Sequence, residues 1–292
     1  MSLIKYIKAG TLGAQLGPWF KVSSTTLLDR IGSTVQRSRL NENFDSVQTY
    51  CLFIGYPRSG HSLIGSIIDA HPNAIASHRL DSIKFFQAGF NKQQLAYMIF
   101  KNSERFSKNG RVLTGNYKYE VPGQFNGRFS KLLVMSDQEG TRTAERLSAE
   151  PGLIEKLQKL SGVNLKFVHV IRNPFDNITT MAIRTNLDLH ANIERYFSLS
   201  AAVENVKKHV PADKVLDIRH EDVIDRAFEG AQTLCGFLDL ETDDAFANDC
   251  ASIVYKSPNK TRNKLAWSQD LIDDVQRRME KYPWYDGYTF DS

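Results

Sequence analysis

The apolar run Tyr50–Gly55 (YCLFIG) passes without a break into Tyr56-Pro57-Arg58-Ser59-Gly60-His61-Ser62, and that loop opens SLIGSIIDA, whose apolar residues recur at helical spacing. A β-rich run, a glycine-bearing turn and a helix, in that order, form an anion cradle in parallel α/β proteins. The turn's amides and the positive end of the helix face the same point. From Gly55 the stretch has the G-x-x-x-x-G-K-[ST] spacing of a triphosphate-binding loop, with His61 at the lysine position. That lysine reaches the β and γ phosphates of a triphosphate, so its absence argues for another phosphate-bearing ligand, to which Ser59 and Ser62 add hydroxyl donors.

The alternation continues along the chain. AIAS at 74–77, KLLVM at 131–135, LKFVHVI at 165–171 and KVLDIR at 214–219 are further short apolar runs. Between them LDSIKFF, EKLQKL and LHANIERYFSLSAAVENVKKHV carry helical periodicity, and the last third, from about residue 220, reads as mostly helical. The pattern predicts one α/β domain with a central, mostly parallel sheet of about five strands flanked by helices, P-loop in type. That domain is expected to span 46–292, with 1–45 as an arm packed on it.

At 292 residues and 41% hydrophobic the chain can bury a full core. Its net charge of +4 is too mild for a long nucleic-acid footprint and suits a small anionic ligand. Cys51, Cys235 and Cys250 form no CxxC pair and are odd in number, which argues against a disulfide framework and a zinc site and for a reducing, cytoplasmic compartment. No apolar run reaches the roughly 18 residues of a membrane span, so a soluble chain is expected.

These motifs resemble the sulfotransferases that use 3′-phosphoadenosine 5′-phosphosulfate (PAPS). YPRSGHSL followed by IDAHPN is similar to the arginine-bearing first loop of the tyrosylprotein and many bacterial members. The resemblance implies a 5′-phosphosulfate held without magnesium or any other metal by Arg58, Ser59, Gly60, His61, Ser62 and Leu63. VHVIRNPFDNITTMAIR at 168–184 is similar to the family segment R-[D/N]-P-x-[D/E]-x-x-x-[S/T], with Arg172 and Thr180 at its two ligand positions. An arginine leaving a strand and a hydroxyl on the following helix can reach one phosphate. The resemblance implies that it is the 3′-phosphate. SPNKTRNKLAW at 257–267 corresponds to the segment that returns to the nucleotide, adding Lys260, Thr261 and Arg262. VLDIRHEDVI resembles another family segment, in which His220, Glu221 and Asp222 are expected to cap and pin the next helix. The resemblance runs from about Cys51 to Tyr285.

Transfer to a hydroxyl needs a base near neutral pKa. Six residues past Pro72, where the tyrosylprotein branch places a glutamate base, stands His78, just after the second strand on the carboxyl edge of the sheet. His78 is therefore the expected base, with the ring of His61 second, while His71, His169 and His209 have structural explanations. Arg58 is expected to stabilise charge on the transferring group. The implied activity is in-line sulfuryl transfer from PAPS to a hydroxyl or amine of a small molecule, glycan or peptide. A P-loop small-molecule kinase and a non-catalytic donor-binding relative are the alternatives. Some relatives carry a lysine just after the third strand, where this chain has Gln138 and Glu139, and that departure suggests the second. Loops 107–130 and 184–195 are expected to choose the acceptor, with Tyr117, Tyr119, Phe125 and Phe129 giving an aromatic-tolerant pocket.

Overall fold

Every residue of β1 (Thr49–Gly55) is buried, so the strand is covered on both faces and must lie inside its sheet. The computed structural model describes residues 44–113 and 117–292, so the expected arm, apart from its last two residues, lies outside the described residues. The sheet holds β1, β2 (Ala74–Ser77), β3 (Val134–Asp137), β4 (Asn164–Ile171) and β5 (Val215–Arg219) in the order β2-β3-β1-β4-β5. All neighbouring pairs are parallel, as the alternation predicts. The third strand starts later than its apolar run and continues through Ser136 and Asp137, two buried polar residues that hydrophobicity alone does not mark.

Period-two geometry divides β1 between two layers. Cys51 and Phe53 pack with Val168 and Val170 against α1 (His61–Ala70), α9 (Ala227–Phe237) and α10 (Asp244–Ser252). Tyr50, Leu52 and Ile54 pack against α3 (Lys92–Lys108), α4 (Gly140–Ala149), α5 (Gly152–Ser161) and α7 (Leu189–Lys208). A third cluster, around Tyr56, Phe175, Tyr196 and Tyr285, joins α6 (Pro174–Thr185) and α7 to α11 (Gln269–Met279) and the C-terminal segment. Two short helices, α2 (Ser82–Gln87) and α8 (His220–Asp225), follow β2 and β5. The amphipathic α3 escaped the sequence reading although its start carries a full capping box, Asn91 with Gln94. All three cysteines are buried and unpaired. No described helix is long and apolar enough to cross a membrane.

After β1 the chain builds β2 and β3 on one side, then crosses back to build β4 and β5 on the other. The reversal falls between β1 and β4. Loops leaving two such strands diverge, and the crevice between them at the carboxyl edge is where ligands of open α/β sheets bind. Here those loops are Tyr56–Gly60 and Arg172–Asn173.

Candidate functional site

The loop after β1 is held in backbone that side chains resist, with φ of 72° at Arg58 and 111° at Gly60. Position 60 needs glycine on a second ground, since a Cβ there would stand 2.4 Å from His220 Nδ1. Ser59 is fully buried and its hydroxyl donates to Tyr56 O at 3.0 Å, so it closes the loop instead of facing a ligand. Leu63 is corrected likewise. Its side chain belongs to the core and its amide donates to Gly60 O at 3.0 Å. Among the described residues the amides of Ser59, Gly60, His61 and Ser62 have no backbone acceptor, and the half-buried Ser62 side chain lies beside them. That row of N–H groups at the start of α1 has the geometry of an anion cradle.

The ring of His61 turns inward, edge-on to Phe53 at 5.6 Å between centroids. It lies so close to the start of α4 that a Cβ on Gly140 would stand 2.2 Å from its Cε1. Burial pushes its pKa down to about 3, helped by His169 and Arg79. The position where a triphosphate loop puts a lysine therefore presents a backbone N–H and a neutral, enclosed ring, which rules the ring out as the second-choice base.

Arg172 leaves β4 at 8% exposure, and the guanidinium joins segments far apart in the chain. Its Nη2 donates to Asn259 O at 2.7 Å and Thr261 Oγ1 at 3.3 Å, and its Nη1 to Thr180 Oγ1 at 3.3 Å and Arg58 O at 3.4 Å. The Thr180 and Thr261 hydroxyls lie 2.9 Å apart, and both contact Asp176 O. Burial lowers the pKa of Arg172 while Asp176 and Glu221 raise it, and a guanidinium so placed stays charged. Arg172 and Thr180, the expected pair, thus meet, Thr261 joins them, and the group abuts the backbone of the first loop.

Arg262, the sequence neighbour of Thr261, does something else. The guanidinium is buried, pairs with Asp176 at 2.6 Å, and donates to Thr289 O at 3.0 Å and Phe290 O at 2.6 Å. These contacts engage Nε and both terminal nitrogens, so Arg262 ties the clamp to the C-terminal segment and is corrected from ligand to scaffold. Lys260 is exposed beside the clamp, with Nζ 3.4 Å from Asp291 O. Glu221 pins more than the helix it was expected to cap. It accepts from Asn173 N at 2.9 Å and from the Tyr288 hydroxyl at 2.6 Å, while α8 has no side-chain cap.

His78 follows β2, two strands from β1 and so about 10 Å across the sheet at the usual strand spacing. Its N–H donates to Asn102 Oδ1 at 2.7 Å, and its ring stacks on Phe106 at 4.4 Å with 12° between planes. Asp137, at the end of β3, takes hydrogen bonds from the Ser77 hydroxyl at 2.9 Å and from Leu80 and Ser82 amides at 3.2 and 2.6 Å, which locks the turn carrying the histidine. Behind Phe106 the Arg111 guanidinium lies 4.8 Å from the ring centroid, held by the buried Asp69. Removing either partner of that buried pair would leave a lone charge at a cost of about 3–5 kcal/mol. Burial, then the charges of Arg79 and Arg111, push the His78 pKa down to about 4.

Two cations that sequence reasoning passed over, Arg79 and Arg184, act on groups of this edge, and Arg79 Nε lies 3.6 Å from Glu139 Oε2. The pKa of Arg58 is lowered by partial burial and then by the charges of Arg184 and Arg79, and Arg79 acts on His61 and His78 as well. Arg184 ends the segment TTMAIR and Arg79 follows His78, so both were visible in the sequence as cations without a stated place. Tyr119, which also acts on Arg58, stands with Tyr117 and Tyr255 in an aromatic cluster whose centroids are 4.5 Å apart. Phe129 is not part of it. It packs on Phe44 and Phe100, because the long loop leaves the crevice before reaching residue 129. Loop 184–195 borders a cavity of about 410 Å³ lined by Ile183, Leu187, Leu189 and Leu265.

A parallel sheet with a glycine loop on its central strand and an arginine–threonine clamp on the next defines a phosphate-loop α/β domain. The sulfotransferase family model matches residues 52–244, and the chain belongs to that family. No curated protein sequence matches it. The sulfotransferase domain of the Synechococcus PCC 7002 olefin synthase is similar in structure with a TM-score of 0.51 at 15% identity, over 81% of this chain and 95% of that one. Sulfotransferase STF9 from Mycobacterium avium gives a TM-score of 0.50 at 10% identity, over 88% of this chain and 82% of that one. Both likenesses are of fold.

Proposed function

We propose that the chain moves a sulfuryl group from PAPS to a hydroxyl or amine acceptor. The observation that carries this reading is the convergence of Arg172, Thr180 and Thr261 beside a lysine-free anion loop, which gives two anion sites in one crevice. A nucleotide with one phosphate group at the 3′ position and a phosphosulfate at the 5′ position matches two such sites. The loop amides and Ser62 would hold the 5′ end, and the clamp, with Lys260 at its rim, the 3′ end. His78 takes the acceptor's proton as the new S–O or S–N bond forms. Arg58 and the loop amides stabilise charge on the sulfuryl group and on the phosphate oxygen as the old S–O bond breaks. The acceptor would enter beside Arg58 and the Tyr117–Tyr119–Tyr255 cluster, which supports an aromatic or apolar hydroxyl compound, a glycan or a peptide. Buried free thiols support a reducing, cytoplasmic setting.

The phosphoryl-transfer alternative is weakened by His61, whose neutral ring supplies no cation for a γ phosphate. Adenosine 3′,5′-bisphosphate without added magnesium is therefore expected to raise the melting temperature more than ATP with magnesium does. The opposite ranking in a thermal-shift titration would overturn the donor assignment. Tight bisphosphate binding with no transfer to any acceptor in a labelled-donor screen would leave a donor-binding protein without activity.

The low pKa of His78 also moves the pH window. Only the neutral imidazole accepts a proton, and protonation takes hold near pH 4 instead of 6.5. The acid limb of kcat/KM, which reports the free enzyme, is thus expected near pH 4, with a level profile from about pH 5.5 to 8. Burial depresses His61, His169 and His220 too, to about 3, 4 and 3. The unfolded chain binds more protons than the fold below about pH 6.5, so stability falls as pH drops toward 4, and melting temperature must be followed alongside rate. An acid limb centred near 6.5 in folded protein would count against His78 as placed here.

A further inference from the structure

Gln138, the residue after β3, is 2% exposed, and its side-chain amide sits between the His78 ring and α1. The amide nitrogen lies 3.1 Å from His78 Nδ1, while the oxygen is buried and has no hydrogen-bond partner among the described residues. Space for the amide exists because residue 65 of α1 is glycine, where a Cβ would stand 2.6 Å from Gln138 Oε1 and 2.8 Å from its Cδ. The two ends of an amide are nearly identical in shape, so it fits this slot in either sense and hydrogen bonding decides between them.

The choice has a chemical consequence. With the amide nitrogen donating to Nδ1, the neutral ring carries its hydrogen on Nε2 and has no free lone pair for an incoming proton. With the oxygen at Nδ1, the ring carries Nδ1–H and presents the Nε2 lone pair. The other contacts leave the matter open, since Phe106 fixes the plane of the ring and Asn102 holds only the backbone. Arg79 and Arg111, the charges that act on His78, keep the ring neutral without selecting a nitrogen.

We propose that Gln138 is the positioning residue of His78: its Oε1 accepts Nδ1–H, fixes that tautomer, and leaves Nε2 to take the acceptor's proton. This sense of the amide gives the buried oxygen a partner and moves the nitrogen to the Gly65 side of the slot, so the choice between the two senses rests on the free Nε2 that a base requires. The proposal rests on the reading of His78 as the base. Gly65 belongs to the same device, as the opening in α1 that admits the amide.

The deciding measurement is the tautomer of His78 in the full chain at pH 7, read by nitrogen-15 NMR on histidine-labelled protein. The expected ring is Nδ1–H in wild type and shifts toward Nε2–H in Gln138→Leu, with single-turnover transfer down about ten- to a hundredfold, as for groups that orient a functional histidine from behind. Donor affinity in that variant stays within about threefold, because the phosphate contacts are elsewhere. Gly65→Ala crowds the amide from the opposite side and gives the same tautomer shift in a folded protein, since alanine favours a helix interior. Gln138→Glu can only accept from Nδ1–H, so it recovers most of the transfer lost in Gln138→Leu and moves the acid limb of the pH profile upward. An Nε2–H ring in wild type, or an unchanged tautomer in Gln138→Leu, overturns the Gln138 proposal alone. Near-wild-type transfer by His78→Ala, with Nδ1–H observed in the wild type, overturns the base reading alone.

Discussion

Replacing His78 by alanine is expected to lower single-turnover sulfuryl transfer by about two to four orders of magnitude, the contribution of a positioned general base. Affinity for adenosine 3′,5′-bisphosphate is expected to stay near that of the wild type. The residues proposed to hold the phosphates lie on the β1 loop, just after β4, on α6 and around Thr261, while the ring of His78 touches Phe106 and Gln138. Circular dichroism on the variant separates a folding defect from a chemical one, because the lost ring leaves Phe106 partly uncovered. Single turnover is the informative regime, since slow product release can conceal a change in chemistry. Transfer within a factor of about three of wild type, far below what a base supplies, would show that His78 is structural. No other histidine on the loop could then inherit the role, as the His61 ring is enclosed against Phe53 and Gly140.

Arg172→Ala should act on donor binding and hardly at all on the rate from bound donor. The guanidinium spans two hydroxyls from different segments, and hydrogen bonds to a charged group are worth about 1.5–3 kcal/mol, which corresponds to roughly ten- to 150-fold in dissociation constant. Lysine is expected to restore little, because one ammonium cannot present the planar fork that reaches Thr180 and Thr261 together. Calorimetric titration with the bisphosphate and a separate measurement of kcat at saturating donor give the two quantities. A fall in kcat with unchanged bisphosphate affinity would remove Arg172 from the clamp and place it in the reaction itself.

Much of this candidate site was legible in the chain because its signals are local. The continuous apolar run of β1, the glycine at 60 and the helical spacing after it are read within some twenty residues, and each has a cause that acts between near neighbours: burial on both faces, a positive φ, a helix start. Arg172 and Thr180 belong to the same class, one strand exit and one helix apart, with Asn173 and Pro174 setting the turn between them. His78 was placed by its distance from Pro72, and the strand that precedes it does bring it to the carboxyl edge.

What only the tertiary structure decided is which groups spend their hydrogen bonds inside the protein. Thr261 and Arg262 are adjacent in sequence, yet Thr261 donates to the Asp176 backbone carbonyl on α6 and joins the clamp, while the Asp176 carboxylate consumes Arg262. Tyr117 and Phe129 share a loop and enter different clusters. Gln138, a departure from the family pattern in the sequence, becomes a contact of His78 only because Gly65 leaves room for it on another element. Periodicity, turns and caps are encoded by residues a few positions apart and survive in any fold that uses them. The partner of a buried charge or amide is whatever packing brings within 3 Å or so, and no pattern along the chain carries that distance.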